Sequence, residues 1–109
     1  MTSSAEEIQR AHPDARVVKA LNTMWNGLMV RPRLIGGTHH TFLSGNHAVA
    51  KRDVRSVLTS FGWRDEEIID LGDLSTARGT EMFLPLWVRL YGALGTGEFN
   101  IRIVKAGEG

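Results

Sequence analysis

The densest apolar run in the chain extends from Met82 to Leu94, interrupted only by Pro85, Arg89 and Gly92. A helix from Ser75 to Leu94 gathers Arg78, Glu81, Pro85, Arg89 and Gly92 on one narrow stripe. Met82, Phe83, Leu84, Leu86, Trp87, Val88, Leu90, Tyr91 and Leu94 occupy the rest of its surface. Such a helix is expected to be buried on most sides, with Ser75 as its N-cap. Pro85 has no N–H and crowds the carbonyl of Glu81, so the pattern predicts a break into two shorter helices. The run is far shorter than the ~20 apolar residues of a membrane span and contains Arg89, which makes it a packing helix and not an anchor.

Upstream, the periodicity is that of an α/β protein. Thr2 to Ala11 predicts a short helix capped by a hydroxyl, with Glu6 and Glu7 in its first turn and His12-Pro13-Asp14 ending it. Arg16 to Leu21 reads as a buried strand, Asn22 to Gly27 as the loop leaving it, and Leu28 to Gly37 as irregular chain. Thr38 to Ser44 predicts a second strand. A helix follows from about His47 to Ser60, with Val49, Val54, Val57, Leu58 and Phe61 on its apolar face and Gly62 as its stop. Lys51, Arg52, Asp53 and Arg55 are expected to be mainly solvated. Glu67 to Leu71 reads as a third strand and Glu98 to Val104 as a last one. Strand, helix, strand, helix, strand is the rhythm of a parallel sheet with crossover helices.

Composition narrows the function classes. A chain of 109 residues, 42% hydrophobic, suits a single domain, 1–109. Thirteen basic and twelve acidic residues leave a net charge of +1, which predicts no nucleic-acid or membrane partner. The absence of cysteine removes disulfides, thiolate metal sites and a cysteine nucleophile. No signal peptide is visible at Met1 to Glu7, so a cytoplasmic location is expected.

Few residues offer chemistry outright. His39 and His40 are adjacent, so in a strand they face opposite ways and cannot share a metal; one inward and one exposed ring is expected. His47 stands at a helix start, where a surface role suffices. Arg78 and Glu81, three apart, predict a structural ion pair, and Asp70 and Asp73 around Gly72 predict turns. Gly92-Ala-Leu-Gly95-Thr-Gly97 is glycine-rich but follows a helix, whereas phosphate cradles precede one, so it reads as a chain turn.

Two blocks carry a family resemblance. Asp70 to Trp87 together with Leu90 to Ile101, and Ala15-Arg-Val-Val-Lys-Ala-Leu-Asn-Thr-Met24, resemble the later half of NADP oxidoreductases of the coenzyme F-420-dependent type. The resemblance implies a partial Rossmann-like α/β fold: half of a doubly wound, mostly parallel sheet with flanking helices, the last strand free to run antiparallel. No Gly-x-Gly-x-x-Gly lies between a strand and a helix here, so the glycine-fingerprint half is read as absent, and with it the pyrophosphate site. The implied cofactors are NADP(H) and, as co-substrate, a deazaflavin of the F-420 type. The implied cofactor-side residues are Asn22, Thr23, Met24, Trp25 and Asn26, in the loop after the first strand. Asn22, Thr23 and Asn26 would orient the rings by hydrogen bonds, and Met24 or Trp25 would wall them, with no catalytic acid or base and no metal. Taken alone, Asn22-Thr23 is a strand-ending turn. The alternative function is a noncatalytic half-fold module for self-association or partner docking. A hydrophobic strand edge left open by the missing half predicts a homo-oligomer.

Overall fold

The computed structural model describes residues 3–20, 24 and 26–107. In chain order the elements are α1 (Ser4–Ala11), β1 (Val18–Ala20), α2 (Asn26–Met29), β2 (Thr41–Gly45), α3 (Ala48–Phe61), β3 (Ile68–Asp70), α4 (Ala77–Glu81) and α5 (Leu84–Leu94), with single 3-10 turns at Pro32–Leu34, Asp65–Glu67 and Leu74–Thr76. The three strands form one sheet in the order β1-β2-β3. The architecture is the mixed α/β, partial Rossmann-like fold expected.

Local signals account for most boundaries. Ser3 caps α1 in a reciprocal box: its hydroxyl accepts from Glu6 N–H (3.1 Å) while the Glu6 carboxylate accepts from Ser3 N–H (3.0 Å). Gln9 then pins the chain after α1, donating to Ala15 O (2.6 Å) and accepting from Val17 N–H (3.2 Å). Gly62 ends α3 in the left-handed region, with φ 110°.

The parallel rhythm holds for only one of the two pairings. β2 and β3 are parallel, with Thr41 opposite Ile68, and α3 supplies the crossover. β1 runs antiparallel to β2, with Val18 opposite Gly45 and Ala20 opposite Leu43. A parallel return needs a connection as long as a strand on the opposite face. Between β1 and β2 the described chain holds only the four-residue α2 and a 3-10 turn opened by Pro32, so it re-enters the sheet at the end it left.

Glu98 to Val104 does not form the expected last strand. His40 N–H donates to Ile101 O (3.1 Å), but the His40 carbonyl accepts from the Asn100 side chain (2.9 Å) and Ile103 N–H donates to the His40 ring (3.0 Å). Side chains thus take the groups that a ladder would have used. The predicted cap is also displaced: Asp73, not Ser75, accepts the first free N–H, that of Ser75 (2.9 Å).

The main core, between the sheet and α3, consists of Met24, Leu28, Leu43, Leu58, Trp63 and Ile68. From α3 it receives Leu58, Val54 and Phe61, while Val49 and Val57 stay exposed because three strands offer no surface to the helix's second flank. Lys51, expected in solvent, reaches across to Asp70 (3.0 Å) and Gly72 O (3.2 Å). A second cluster of Ala5, Leu74 and Ala77 joins α1 to the start of α4.

The predicted break is present: α4 ends at Glu81, and Pro85 occupies the first turn of α5, where its missing N–H has no intrahelical partner to lose. The expected burial is not. No residue of α5 is buried, because only Trp87, stacked on Phe99 (5.6 Å), and Leu90 lean on the body. Arg78 and Glu81 do not pair with each other. Arg78 holds Glu6 through two bonds (2.7 and 2.9 Å), and Glu81 accepts from Ser4 N–H (3.1 Å), so both serve the α1–α4 contact.

Candidate functional site

The antiparallel register fixes where the loop after β1 lies. With Ala20 opposite Leu43, the chain leaves β1 at the end of the sheet where β2 and β3 begin, beside His39, His40 and Thr41. Of the five loop residues singled out, Met24 is buried at 6% exposure in the main core, and Asn26 opens α2. Asn22, Thr23 and Trp25 lie outside the described residues. Below the loop, Leu28 is fully buried and the Met29 carbonyl accepts from the Trp63 indole N–H (3.0 Å). Met24 and α2, the described part of this connection, therefore pack on the apolar core.

Next to that core sits a polar cluster that sequence reasoning missed. Glu67 is completely buried; its two carboxylate oxygens accept from one Arg33 guanidinium nitrogen, Nη2 (2.7 and 2.6 Å), and it also accepts from Arg64 N–H (2.9 Å) and His39 N–H (3.2 Å). Burial pushes its carboxyl up, but the Arg33 hydrogen bonds and the two backbone N–H groups outweigh this and hold it below the usual carboxylate range. His39 and His40 are both buried, at 3% and 8% exposure, instead of splitting inward and outward. They precede β2, so strand alternation does not govern them. Each ring also has a polar partner: His39 Nε2 meets Pro32 O (2.8 Å), its Nδ1 meets the Asn100 amide (2.7 Å), and His40 Nδ1 accepts from Ile103 N–H. His39 packs edge-on against Trp63 at 4.9 Å. One signal could have flagged this cluster: Asn100, an uncharged amide set between the apolar Phe99 and Ile101.

The opposite end of the sheet carries a shallow, open depression of about 330 Å³, lined by Glu6, Gln9, Arg10, Asn46, Asp73, Leu74 and Ser75. Apart from Arg10, its polar side chains are spent on the fold. Asn46 accepts from Leu74 N–H (2.9 Å), Asp73 caps Ser75, and Arg78 holds the Glu6 carboxyl down at about 2. Asp70 is likewise a turn former. Burial raises its carboxyl, but the bonds from Lys51 and Gly72 N–H outweigh that and hold it below the usual range. Gly95 ends α5 in the left-handed region at φ 72°, so the 92–97 stretch closes a helix and aims no helix-start N–H groups at a ligand. Among the described residues no group of three His, Asp or Glu side chains could hold a metal ion, and no helix is long and apolar enough to cross a membrane.

A short mixed sheet with a helical crossover and flanking helices defines part of a Rossmann-like α/β protein. Over 96% of its length the chain is similar, at 55% identity and a TM-score of 0.88, to a protein from Arthrobacter sp. FB24 described as a "putative F420 dependent NADP-reductase". The match takes in 47% of that protein, so the chain spans about half of its length, in keeping with the half-protein reading of the sequence. In both sequence and fold, then, the chain corresponds to about half of that protein. No family model and no curated protein matches it.

Proposed function

We propose that the chain is the C-terminal part of an NADP(H)-dependent oxidoreductase that passes a hydride between NADP(H) and a deazaflavin of the F-420 type. The observation that carries this reading is the 55% identity, held over 96% of the chain, to a protein described as a reductase of that kind. NADP(H), when bound, supplies the hydride; the protein's task is to align two flat rings and keep water away. Asn22, Thr23 and Asn26 are assigned to orient the rings. Trp25 walls them, and Met24, committed to the core at 6% exposure, holds the loop from beneath.

The described residues offer no cradle for the pyrophosphate end of the cofactor. The helix after β2 opens with Gly45-Asn46-His47, and Asn46 is already bonded to Leu74 N–H. Among the described residues no glycine run opens a helix elsewhere, so the pyrophosphate needs a second half carrying Gly-x-Gly-x-x-Gly.

The test is steady-state NADPH oxidation with a deazaflavin acceptor, in a chain that carries such a half as well. Asn22→Ala is expected to lower turnover by about tenfold with unchanged melting, because misaligned rings lose rate before affinity. Met24→Ala should lower both turnover and melting temperature. Residues 1–109 alone should show no saturable NADPH binding by calorimetry. Wild-type turnover in Asn22→Ala would remove the loop from the site. A second reading, a noncatalytic module for self-association or docking, is favoured by the uncovered apolar surface of α5. Absence of any NADPH oxidation in the two-half chain would select it.

A further inference from the structure

Residues 100–104 lie against the start of β2 without joining the sheet, and apolar burial does little to keep them there. Ile103 and Val104 are 45% and 69% exposed. Polar bonds to two histidines do the fastening instead. His40 N–H donates to Ile101 O (3.1 Å), and the Asn100 amide donates to His40 O (2.9 Å). The other two bonds end on imidazole lone pairs: the Asn100 amide reaches His39 Nδ1 (2.7 Å), and Ile103 N–H donates to His40 Nδ1 (3.0 Å).

Both rings are thereby held in one tautomer. His39 Nε2 lies 2.8 Å from the Pro32 carbonyl, which can only accept, so Nε2 carries the hydrogen and Nδ1 keeps its lone pair. His40 Nδ1 accepts from a backbone N–H, so its hydrogen also sits on Nε2. The arrangement exists only while the rings are neutral, because an imidazolium donates from both nitrogens. A proton added to either Nδ1 would set hydrogen against hydrogen.

The two contacts differ in how they can respond. The Asn100 Oδ1 is buried with no partner among the described residues, so the amide can turn to offer it to a charged His39, giving up the His40 carbonyl as it does so. Ile103 has no such recourse, since a backbone N–H cannot become an acceptor. His40 is therefore the sharper trigger. The charged groups around the rings are few. Facing His39 are Glu67, which accepts its N–H and is paired with Arg33, and the edge of Trp63. Facing His40, around a cavity of about 250 Å³, are Glu66 and Lys105, of opposite sign, with Ile69 and Ile103. Both histidines are more than nine-tenths buried, so a charge gained there is relieved by parting the contact and admitting water.

We propose that residues 100–104 form a proton-sensitive clasp, held on the sheet end by neutral His39 and His40 and released when His40 is protonated, while the sheet and α3 stay folded. The end it uncovers is the one from which the chain leaves β1. The proposal rests on these bonds and not on the oxidoreductase reading, so the NADPH assay does not bear on it.

The test is an NMR titration of the isotope-labelled chain from about pH 8 to 5, the interval in which imidazole is the ordinary side chain that changes charge. At the upper end both rings should show the Nε2–H tautomer, and Ile103 N–H should be protected from exchange. As His40 Nδ1 gains its proton, Ile103 should lose that protection and move to the shift of unstructured chain in step with it, while Leu43 in the core stays unchanged. His40→Gln supplies a side-chain oxygen that accepts but does not titrate, so Ile103 should remain in place across the same interval in that variant. An Nδ1–H tautomer of His40 at pH 8, a His40 that stays neutral down to pH 5, a protonated His40 with Ile103 still in place, or Leu43 moving together with Ile103 would each overturn the proposal. So would a folded His40→Gln chain that releases Ile103 at the same pH as the parent. If His40→Gln does not fold, the titration of the unmodified chain decides the question.

Discussion

The segment from α2 to β3 and the arm formed by α4 and α5 are both rich in apolar residues, yet only the first buries them within this chain. Around Trp63, aliphatic side chains from α2, β2, α3 and β3 meet a sheet face, and Leu28, Leu43, Leu58 and Trp63 are each exposed by 1% or less. Along α5 the run is equally apolar but faces no second layer, so half of nearly every side chain remains in water. Hydrophobic content sets how much surface can be buried, and the neighbouring layer decides whether it is. A helix apolar on nearly all sides is therefore a statement about a missing neighbour.

The contrast can be broken most forcefully at Trp63. Replacing it with Ala removes the largest core side chain and its N–H bond to Met29, and should cost about 3–5 kcal/mol in urea unfolding. Leu86→Ala on α5, a residue half exposed to water, should stay within about 0.5 kcal/mol of the parent. Similar losses at the two positions would erase the distinction between the regions.

A smaller effect is expected at Glu67. Glu67→Gln leaves Arg33 without a charge partner, at about 2 kcal/mol, below the cost for a fully buried pair because the Arg33 side chain keeps 36% of its exposure. Chemical denaturation of the two proteins measures it; no loss would mean that water replaces the carboxylate freely.

The mildest change should appear as a pH slope. The Glu6 carboxyl, held by Arg78, falls from 4.5 to about 2 in the folded chain. The stability this supplies is present in full above 4.5 and is lost as pH falls toward 2. Thermal melts between about pH 5 and 2 should accordingly show a shallower acid limb for Glu6→Gln than for the parent. Superimposable curves would show that the α1–α4 contact does not depend on this ion pair.

Local chemistry was the legible part. The Ser3–Glu6 cap, the Gly62 stop, the Pro85 break and the Asp70–Asp73 turns each follow from one residue and its nearest neighbours in sequence. What depended on partners distant in sequence was not legible. The direction of β1 is set by how the chain between it and β2 returns. The burial of both His39 and His40 depends on Pro32, Asn100 and Ile103, up to 63 residues away. Arg33 and Glu67, 34 apart, leave no periodic trace. For the loop at Asn22 to Asn26, composition and periodicity signalled only a turn. The family resemblance alone marked it as a candidate site, and of its residues the structure fixes Met24 in the core and Asn26 at the start of α2.

The antiparallel return of β1 bears on how this half-fold can vary. The chain between β1 and β2 departs from and rejoins the sheet at one end, on neighbouring strands, so its two anchor points stay put whatever its length. Closing a longer loop between fixed anchors costs only ~0.6 kcal/mol per doubling. Gly36 and Gly37 are exposed, and nothing would crowd a side chain added at either, so the connection has room to grow there. Gly45, by contrast, would set a Cβ 3.3 Å from the Val17 carbonyl, and α3 must match the length of the strands it bridges. Insertions and deletions should therefore gather between Pro32 and His39, reshaping the rim beside the loop while the sheet register stays the same.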